Sequence, residues 1–536
     1  MTLGSPARPA SAAFAIAIAA VLIVSGCSSD EKGDSSGSPT SPSTASTSIP
    51  DGVDAVLAVD GDEAVAELDE RFQSYNIEMV EVTGGYFWPP YEAGSAKVYR
   101  APIDLSSERL RNLAEALGPA YIRVSGTWAN KTFFDEKGIT TGAGTPEVKP
   151  PEGFDGVLTA EQWKGVGDFA DAVDGEITTS FASGDAVRDP SGAWLPDQAR
   201  ALLEFSERND IPLAGAELFN ETNFGIGLPE GYDAQDFIRD SATFQELVDE
   251  VDPDLLVVGP GSADDVTPVV FQPPIRTEDM LAGIEPPFQR FSFHFYPKVS
   301  ERCGSTEGPD VALSQDYLDR IDVDKAYYEG LRDKYAPGAG LWVTETAQAA
   351  CGGDRWASTF RDVIRYVDTL GRFADGDGNV VFHNTLAASD YGLLDEDGFT
   401  TRPDYWAAVL WGRLMGPTVL ATSDGSGTGS AGDLSVYAHC TPDVETPSVT
   451  YAVVNSSTTE TRRLATGVDG TTVYHLTGDL DSEVASLNGA VLEANEDGTL
   501  PKMDGEKVPD GTGGAVEVAP ASVAFVVTPT TSKACD

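Results

Sequence analysis

A chain of 536 residues that carries 86 Asp+Glu against 35 Lys+Arg has a formal charge of −51. Such a field repels polyanions, so nucleic acid is excluded as a partner, and solubility is favoured. The length exceeds one ordinary domain, so two are expected.

The N-terminus reads as a processing segment. Arg8 precedes an apolar run from Ala12 to Val24, and Val24-Ser25-Gly26-Cys27 follows. Small residues just before a cysteine resemble a bacterial lipoprotein signal. In such a signal residues 1–26 are removed and Cys27 is lipidated. The run is shorter than the ~20 apolar residues a membrane span requires. The expectation is an exported protein, anchored by lipid to the outer face of the bacterial cell membrane. Residues 27–52 are rich in Ser, Thr, Pro and charge and read as a flexible tether.

Residues 53–70 alternate weakly (Val53, Ala55, Val56, Ala58, Val59) and are assigned as strand joining a later β-module. Ser74 to Val82 reads as the first strand of a barrel, with Asn76 and Glu78 as its polar positions. Ser107-Glu108 opens a helix with Leu110, Leu113, Ala114 and Leu117 on one face, stopped by Gly118-Pro119. Strand Tyr121–Val124 follows. Thr159-Ala160-Glu161-Gln162 is a capping box ahead of a helix faced by Trp163, Val166, Phe169 and Val173. Then come a strand (Glu176 to Ala182), a helix (Pro196 to Arg208), a strand (Ile211 to Phe219), a helix (Asp236 to Glu250) and a strand (Leu255 to Val258). Strand Phe291 to Phe295 carries His294. A helix from about Ser314 to Lys334, strand Gly340–Thr346, helix Trp356 to Leu370 and strand Val380 to Leu386 complete eight alternations. That pattern predicts an α/β fold, a closed (β/α)8 TIM barrel over residues 71–415. Beyond Gly416 short alternating runs (Leu434 to Ala438, Val449 to Val454, Val516 to Val518, Val523 to Val527) lie between turn residues. They predict a C-terminal β-sandwich over 416–536 that also takes the N-terminal strand.

Two strands end in glutamate. Leu213 to Phe219 runs into Asn220-Glu221, and Gly340-Leu341-Trp342-Val343-Thr344 runs into Glu345, 124 residues later. Chemistry on such barrels sits at the C-terminal ends of the strands. Two carboxyls there are the minimum equipment for glycoside hydrolysis. The plainer alternative is a pair of solvated strand-end carboxylates. Glu221 suits an acid/base, with Asn220 beside it to hydrogen-bond a sugar hydroxyl. Glu345 suits a nucleophile, with Tyr296 as a candidate hydroxyl donor. His294 and His383 read as satisfied strand histidines. Asp375-Gly376-Asp377-Gly378-Asn379 lacks the downstream glutamate of a calcium loop and reads as a turn. No metal and no cofactor are expected.

Five cysteines are present: Cys27, Cys303, Cys351, Cys440 and Cys535. With Cys27 assigned to lipid, an even number remains. Pairing by region gives Cys303 with Cys351 and Cys440 with Cys535. A metal site is the competing reading, though CxxC spacing is absent.

Asn220-Glu221, Phe293-His294-Phe295-Tyr296 and Glu345-Thr346, in that order, resemble the clan A retaining glycoside hydrolases. Further stretches carry the likeness: Asp104-Leu105-Ser106-Ser107 through Leu117 to Arg123, Arg402 to Trp406, Leu434 to Cys440, Leu487-Asn488-Gly489 and Ala534-Cys535. With these the chain is similar to glycoside hydrolase family 79, the heparanases and β-glucuronidases. The resemblance implies Glu221 as acid/base and Glu345 as nucleophile. It also implies a sandwich disulfide Cys440–Cys535, and Thr127, Asn384 and Tyr391 in the substrate pocket. The family reads the uronate carboxylate with a tyrosine and two glycine amides. Here Cys351 stands before Gly352-Gly353, so those amides, with Tyr391, are expected to take the role. The loop Gly261-Ser262-Ala263-Asp264-Asp265 is acidic where heparanases are basic. The expected activity is a retaining β-glucuronidase for unsulfated glucuronides, acting as a monomer. The alternatives are a clan A β-glycosidase for a neutral sugar and a non-catalytic carbohydrate-binding surface lipoprotein.

Overall fold

The computed structural model describes residues 52–267, 269, 271–422 and 429–536. The expectations for the leader, for Cys27 and for the tether up to residue 51 lie outside the described residues. Among the described residues no helix is long and apolar enough to cross a membrane.

Eight parallel strands close into a barrel: β1 (Gln73–Asn76), β2 (Ala120–Val124), β3 (Gly175–Ser180), β4 (Leu213–Glu217), β5 (Leu256–Ser262), β6 (Arg290–Phe295), β7 (Gly340–Thr346) and β8 (Val380–His383). β8 pairs with β1, Val381 lying opposite Gln73, and so closes the ring. Around it run α1 (Glu108–Glu115), α2 (Ala160–Ala172), α3 (Asp197–Arg208), α4 (Ala234–Val251), α5 (Arg320–Tyr335), α6 (Phe360–Phe373) and α7 (Pro403–Leu414). The caps are those the sequence announces. The Ser107 hydroxyl accepts from the Leu110 amide, and Thr159 and Gln162 cap each other reciprocally. Each such cap is worth about 1 kcal/mol.

The period of two along each strand sorts its side chains. On β6, Phe291 and Phe293 face outward, and Phe293 stacks on Tyr328 of α5 at 4.4 Å between centroids. Ser292 and His294 face the axis, where they meet Glu217 and Glu221. The lower barrel is filled by Tyr121, Val258, Trp342 and Phe382. Two residues further along their strands, Arg123 and Thr344 form a polar layer above that plug.

Parity alone would turn Glu345 outward, since Trp342 and Thr344 face inward. The register between β6 and β7 slips there: Phe293 lies opposite Val343, but His294 lies opposite Glu345. The extra residue is a bulge, and a bulge re-aims the side chain that follows it.

Beyond the barrel, β9 (Thr418–Thr422), β10 (Leu434–Cys440), β11 (Ser448–Asn455), β12 (Thr472–Gly478) and β13 (Ser522–Pro529) belong to one antiparallel sheet. The N-terminal strand Val59–Glu67 pairs with β9. A second sheet of three strands (Ala55–Val56, Arg462–Ala465, Ala515–Val518) covers one face. Alternation divides the large sheet between two cores. Val449, Tyr451, Val453, Ala524 and Val526 meet the small sheet, whereas Ala452, Val454, Val523 and Phe525 join the barrel's core, which includes α6 and α7. Both faces are therefore dry. The disulfides Cys303–Cys351 and Cys440–Cys535 are formed.

Several expected boundaries move. The first barrel strand ends at Asn76 rather than Val82, and Met79–Thr83 is a short helix. Glu78 and Glu81 form a capping box there, which turns an apparently alternating stretch into a helix start. The strand expected to reach Phe219 stops at Glu217. α6 begins at Phe360, four residues after Trp356. Asp375 and Asp377 are occupied by Lys325 and the Glu67 amide, as in an ordinary turn.

Candidate active site

Arg123 on β2 is the hub of the barrel mouth. Its side chain is buried, and its guanidinium donates from Nη1 to Glu345 Oε1 (2.9 Å) and from Nη2 to Glu217 Oε2 (2.7 Å) and Asn220 Oδ1 (2.8 Å). Nε adds a second bond to Glu217 at 3.0 Å. A buried carboxylate survives only if paired and hydrogen-bonded. Glu217 meets that condition, with Ser292 Oγ at 2.7 Å and Thr344 Oγ1 at 3.2 Å on its other oxygen. Burial alone would raise its pKa; Arg123 and then His294 outweigh burial and hold it below the usual value.

Glu345 lies on the bulged end of β7. Oε1 is taken by Arg123, and Oε2 accepts the Tyr296 hydroxyl at 2.9 Å. Burial, reinforced by the charge of Glu345, pushes the Tyr296 phenol well above its ordinary pKa. It therefore stays a donor. Asn384 Nδ2 donates to the Tyr296 oxygen (2.8 Å) and to Glu78 Oε1 (3.2 Å), and Asn76 holds Asn384 by its carbonyl oxygen (3.1 Å).

Glu221 stands past the end of β4, in the left-handed region at φ 49°. Its amide donates to Gly261 O at 3.2 Å. Asn130 clamps the neighbouring Asn220 backbone on both sides, at 3.1 and 2.9 Å. A non-glycine residue there is uncommon and is maintained only where its surroundings over-determine it. The Glu221 carboxylate meets His294 Nδ1 at 3.0 Å. Burial disfavours the imidazolium of His294, but Glu345 and the bond to Glu221 prevail and raise its pKa. One oxygen of Glu221, one of Glu345 and a ring nitrogen of His294 all lie within 4.8 Å of one another. Such a trio has the spacing of metal ligands. The Arg123 guanidinium, 2.9 Å from Glu345 and 3.3 Å from His294, opposes a dication there.

These groups face a cavity of about 680 Å³ lined by, among others, Glu78, Thr127, Glu221, Tyr296, Glu345, Asn384 and Tyr391. Thr127, Asn384 and Tyr391 thus line the same cavity as the two glutamates. Asn220 lies beneath, with its Nδ2 unpartnered among the described residues. Gly352 and Gly353 are a different case. Ala350 and Cys351 form the wall, and the two glycines pack behind it, where a side chain on Gly352 would strike Ser389, Arg302 and Trp88. The Gly353 amide donates to Ala349 O at 3.2 Å, so the turn itself consumes one of the two amides expected to read a carboxylate.

Sequence reasoning missed Arg123 and Glu217, named Glu78 only as a polar strand position, and set His294 aside. The signal was present: Arg123 and Glu217 are charges inside strands that are otherwise apolar, and such residues are almost never fully buried without a partner.

A (β/α)8 barrel with paired glutamates at the C-terminal ends of β4 and β7 defines the class, the barrel glycoside hydrolases. No family model matches the chain. It is 25% identical over 527 residues to heparanase-like protein 3 of Arabidopsis thaliana, covering 87% of this chain and 91% of that one. It is 25% identical over 518 residues to the baicalin-β-D-glucuronidase of Scutellaria baicalensis, covering 88% and 92%. A 4-O-α-L-rhamnosyl-β-D-glucuronidase of Fusarium oxysporum shares the fold, with a TM-score of 0.59 over 88% of this chain and 100% of that one, at 16% identity. The chain is thus similar over most of its length to heparanase-like proteins and to a β-glucuronidase, in line with its resemblance to family 79.

Proposed function

We propose that the protein is a retaining β-glycoside hydrolase, a β-glucuronidase acting on unsulfated glucuronides or glucuronate-bearing polysaccharide. The observation that carries this reading is the spacing of the two glutamates. Their nearest oxygens lie within 4.8 Å. Inverting pairs stand about 6.5–9.5 Å apart to admit a water, and retaining pairs about 5–5.5 Å.

In the first step a Glu345 oxygen bonds to the anomeric carbon, and the bond to the leaving group breaks as Glu221 protonates its oxygen. In the second, water attacks the anomeric carbon, its proton passes to Glu221, and the bond to Glu345 breaks. Tyr296 and Arg123 orient Glu345 from its two oxygens. His294 keeps Glu221 over the same point. The free Nδ2 of Asn220 suits a sugar hydroxyl.

Similarity to a β-glucuronidase and to heparanase-like proteins favours a uronic acid substrate. Asp264 lines the cavity, which disfavours sulfate. The lipoprotein-like N-terminus supports export and anchoring through Cys27, with the tether leading to a strand of the β-sandwich (53–70), a catalytic barrel (71–415) and the rest of the sandwich (416–536), in a chain that acts as a monomer.

Three measurements test this. Glu345→Gln abolishes turnover, whereas Glu221→Gln still cleaves substrates with good leaving groups; equal and complete loss in both undoes the roles. Matched aryl β-glucuronide and β-glucoside give the sugar specificity, and digestion of heparan sulfate is expected to fail. The neutral-sugar reading gains from the occupied Gly353 amide, and a preference for the glucoside would establish it.

A further inference from the structure

With the Gly353 amide engaged, one of the two amides expected to read a substrate carboxylate is lost, which leaves room for a charged partner. The cavity has two lysines in its wall, Lys97 and Lys131. Lys131 is paired with Asp155 at 3.4 Å. Lys97 makes no ion pair among the described residues. It precedes the second strand of a small hairpin, Gly85–Phe87 with Val98–Arg100, that stands over the barrel mouth. Its ammonium lies 4.6 Å from the ring centroid of Trp88 and 4.5 Å from that of Trp128, so two indole faces hold it.

Burial beside the indoles opposes that charge. The carboxylate that bears on Lys97 is Glu78. Burial, with Glu345 and Glu81 adding their charge, drives Glu78 toward its neutral acid. Trp88 joins the lysine to the turn behind the Ala350–Cys351 wall: its Cβ occupies the space a Gly352 side chain would need, at 2.8 Å. In a chain of net charge −51, a caged cation in the cavity wall is the group that an anionic substituent would meet.

We propose that Lys97 is the specificity-determining residue of this enzyme, pairing its ammonium with the carboxylate of a uronic acid held in the cavity, with Trp88 and Trp128 fixing it there. The proposal rests on the β-glucuronidase reading above. A charge-assisted hydrogen bond is strong enough to matter and disappears for a neutral sugar of the same shape.

The test is the ratio of kcat/KM for aryl β-glucuronide over aryl β-glucoside with one leaving group, in wild type, Lys97→Met and Lys97→Arg. Methionine keeps the stem against the indoles and removes the charge. The expected result is a fall of roughly 10- to 100-fold in the ratio for Lys97→Met, and a ratio within a few-fold of wild type for Lys97→Arg. The fall should shrink in high salt, because a pair near the cavity mouth is screened. A wild-type preference for the glucuronide that survives in Lys97→Met overturns this proposal alone. A proportional fall on both sugars also overturns it, since it would mark a packing role. A wild type without preference for the glucuronide overturns the substrate reading and this proposal together.

Discussion

The Tyr296 hydroxyl donates to Glu345 Oε2 at 2.9 Å, across the gap between β6 and β7. The phenol is locked in that role, because burial and the carboxylate itself oppose its ionisation. Tyr296→Phe removes one donor and little volume. A hydrogen bond to a charged group is worth about 1.5–3 kcal/mol, so kcat should fall roughly 10- to 100-fold. Steady-state rates on an activated aryl glycoside measure this. An unchanged kcat would show that Arg123 alone orients the nucleophile.

Arg123 serves Glu217, Asn220 and Glu345 together. Removing it leaves two carboxylates uncompensated in a dry barrel. Arg123→Met should lower stability by about 3–5 kcal/mol, the cost of breaking a buried pair from one side. Arg123→Lys keeps the charge but not the planar fork, and should fall between. Denaturant midpoints rank the three proteins, and a lysine variant as weak as the methionine one would mark geometry, not charge, as decisive.

Cys440 and Cys535 are joined across a sequence separation of 95, with a Cα–Cα distance of 5.3 Å. The bond ties the end of the chain to β10. Loss of a loop closure of that length costs about 3–5 kcal/mol. The double variant Cys440→Ser/Cys535→Ser should unfold at lower denaturant while its kcat near 20 °C stays close to wild type. A midpoint equal to wild type would mean the bond adds nothing.

His439 is buried in β10 with Nδ1 against Gly416 O at 2.7 Å. Burial lowers its pKa to about 4. The unfolded imidazole binds a proton near pH 6.5 and the folded one does not, so stability falls as pH drops from about 6.5 to about 4. Above pH 6.5 both states are neutral and the effect vanishes. The size is on the order of 3 kcal/mol at the acid end. His439→Asn retains a donor for Gly416 O without the titration. Its stability relative to wild type should rise as pH falls through that window; a pH-independent difference contradicts the assignment.

The two glutamates were legible because each interrupts an apolar strand at its end, and backbone pattern reports that directly. Their partners were less so. Arg123 and Glu217 lie 94 positions apart, and only barrel closure makes them neighbours. The aim of Glu345 depends on a register slip between β6 and β7, and register has no local signature in strands buried on both faces. The first strand was overdrawn because Tyr75, Ile77 and Met79 alternate with Asn76 and Glu78, which hides the capping box that Glu78 forms with Glu81. Lys97 follows a Gly- and Pro-containing stretch with no periodicity, and its two indole neighbours are 9 and 31 positions away in opposite directions. Regional pairing of the cysteines succeeded because each pair belongs to one structural layer.

The N-terminal strand hydrogen-bonds to β9, with Glu67 opposite Thr418. That ladder cannot form until more than three hundred intervening residues have left the ribosome. The sheet it enters must in turn await β13, near the far end of the chain. Contacts so distant in sequence are slow to make. The earliest residues of the folded body are thus among the last to find their place. The dry face that β11 and β13 turn toward α6 and α7 stays open until then, so the nascent enzyme passes through a stage in which its barrel is wet on one side and prone to associate.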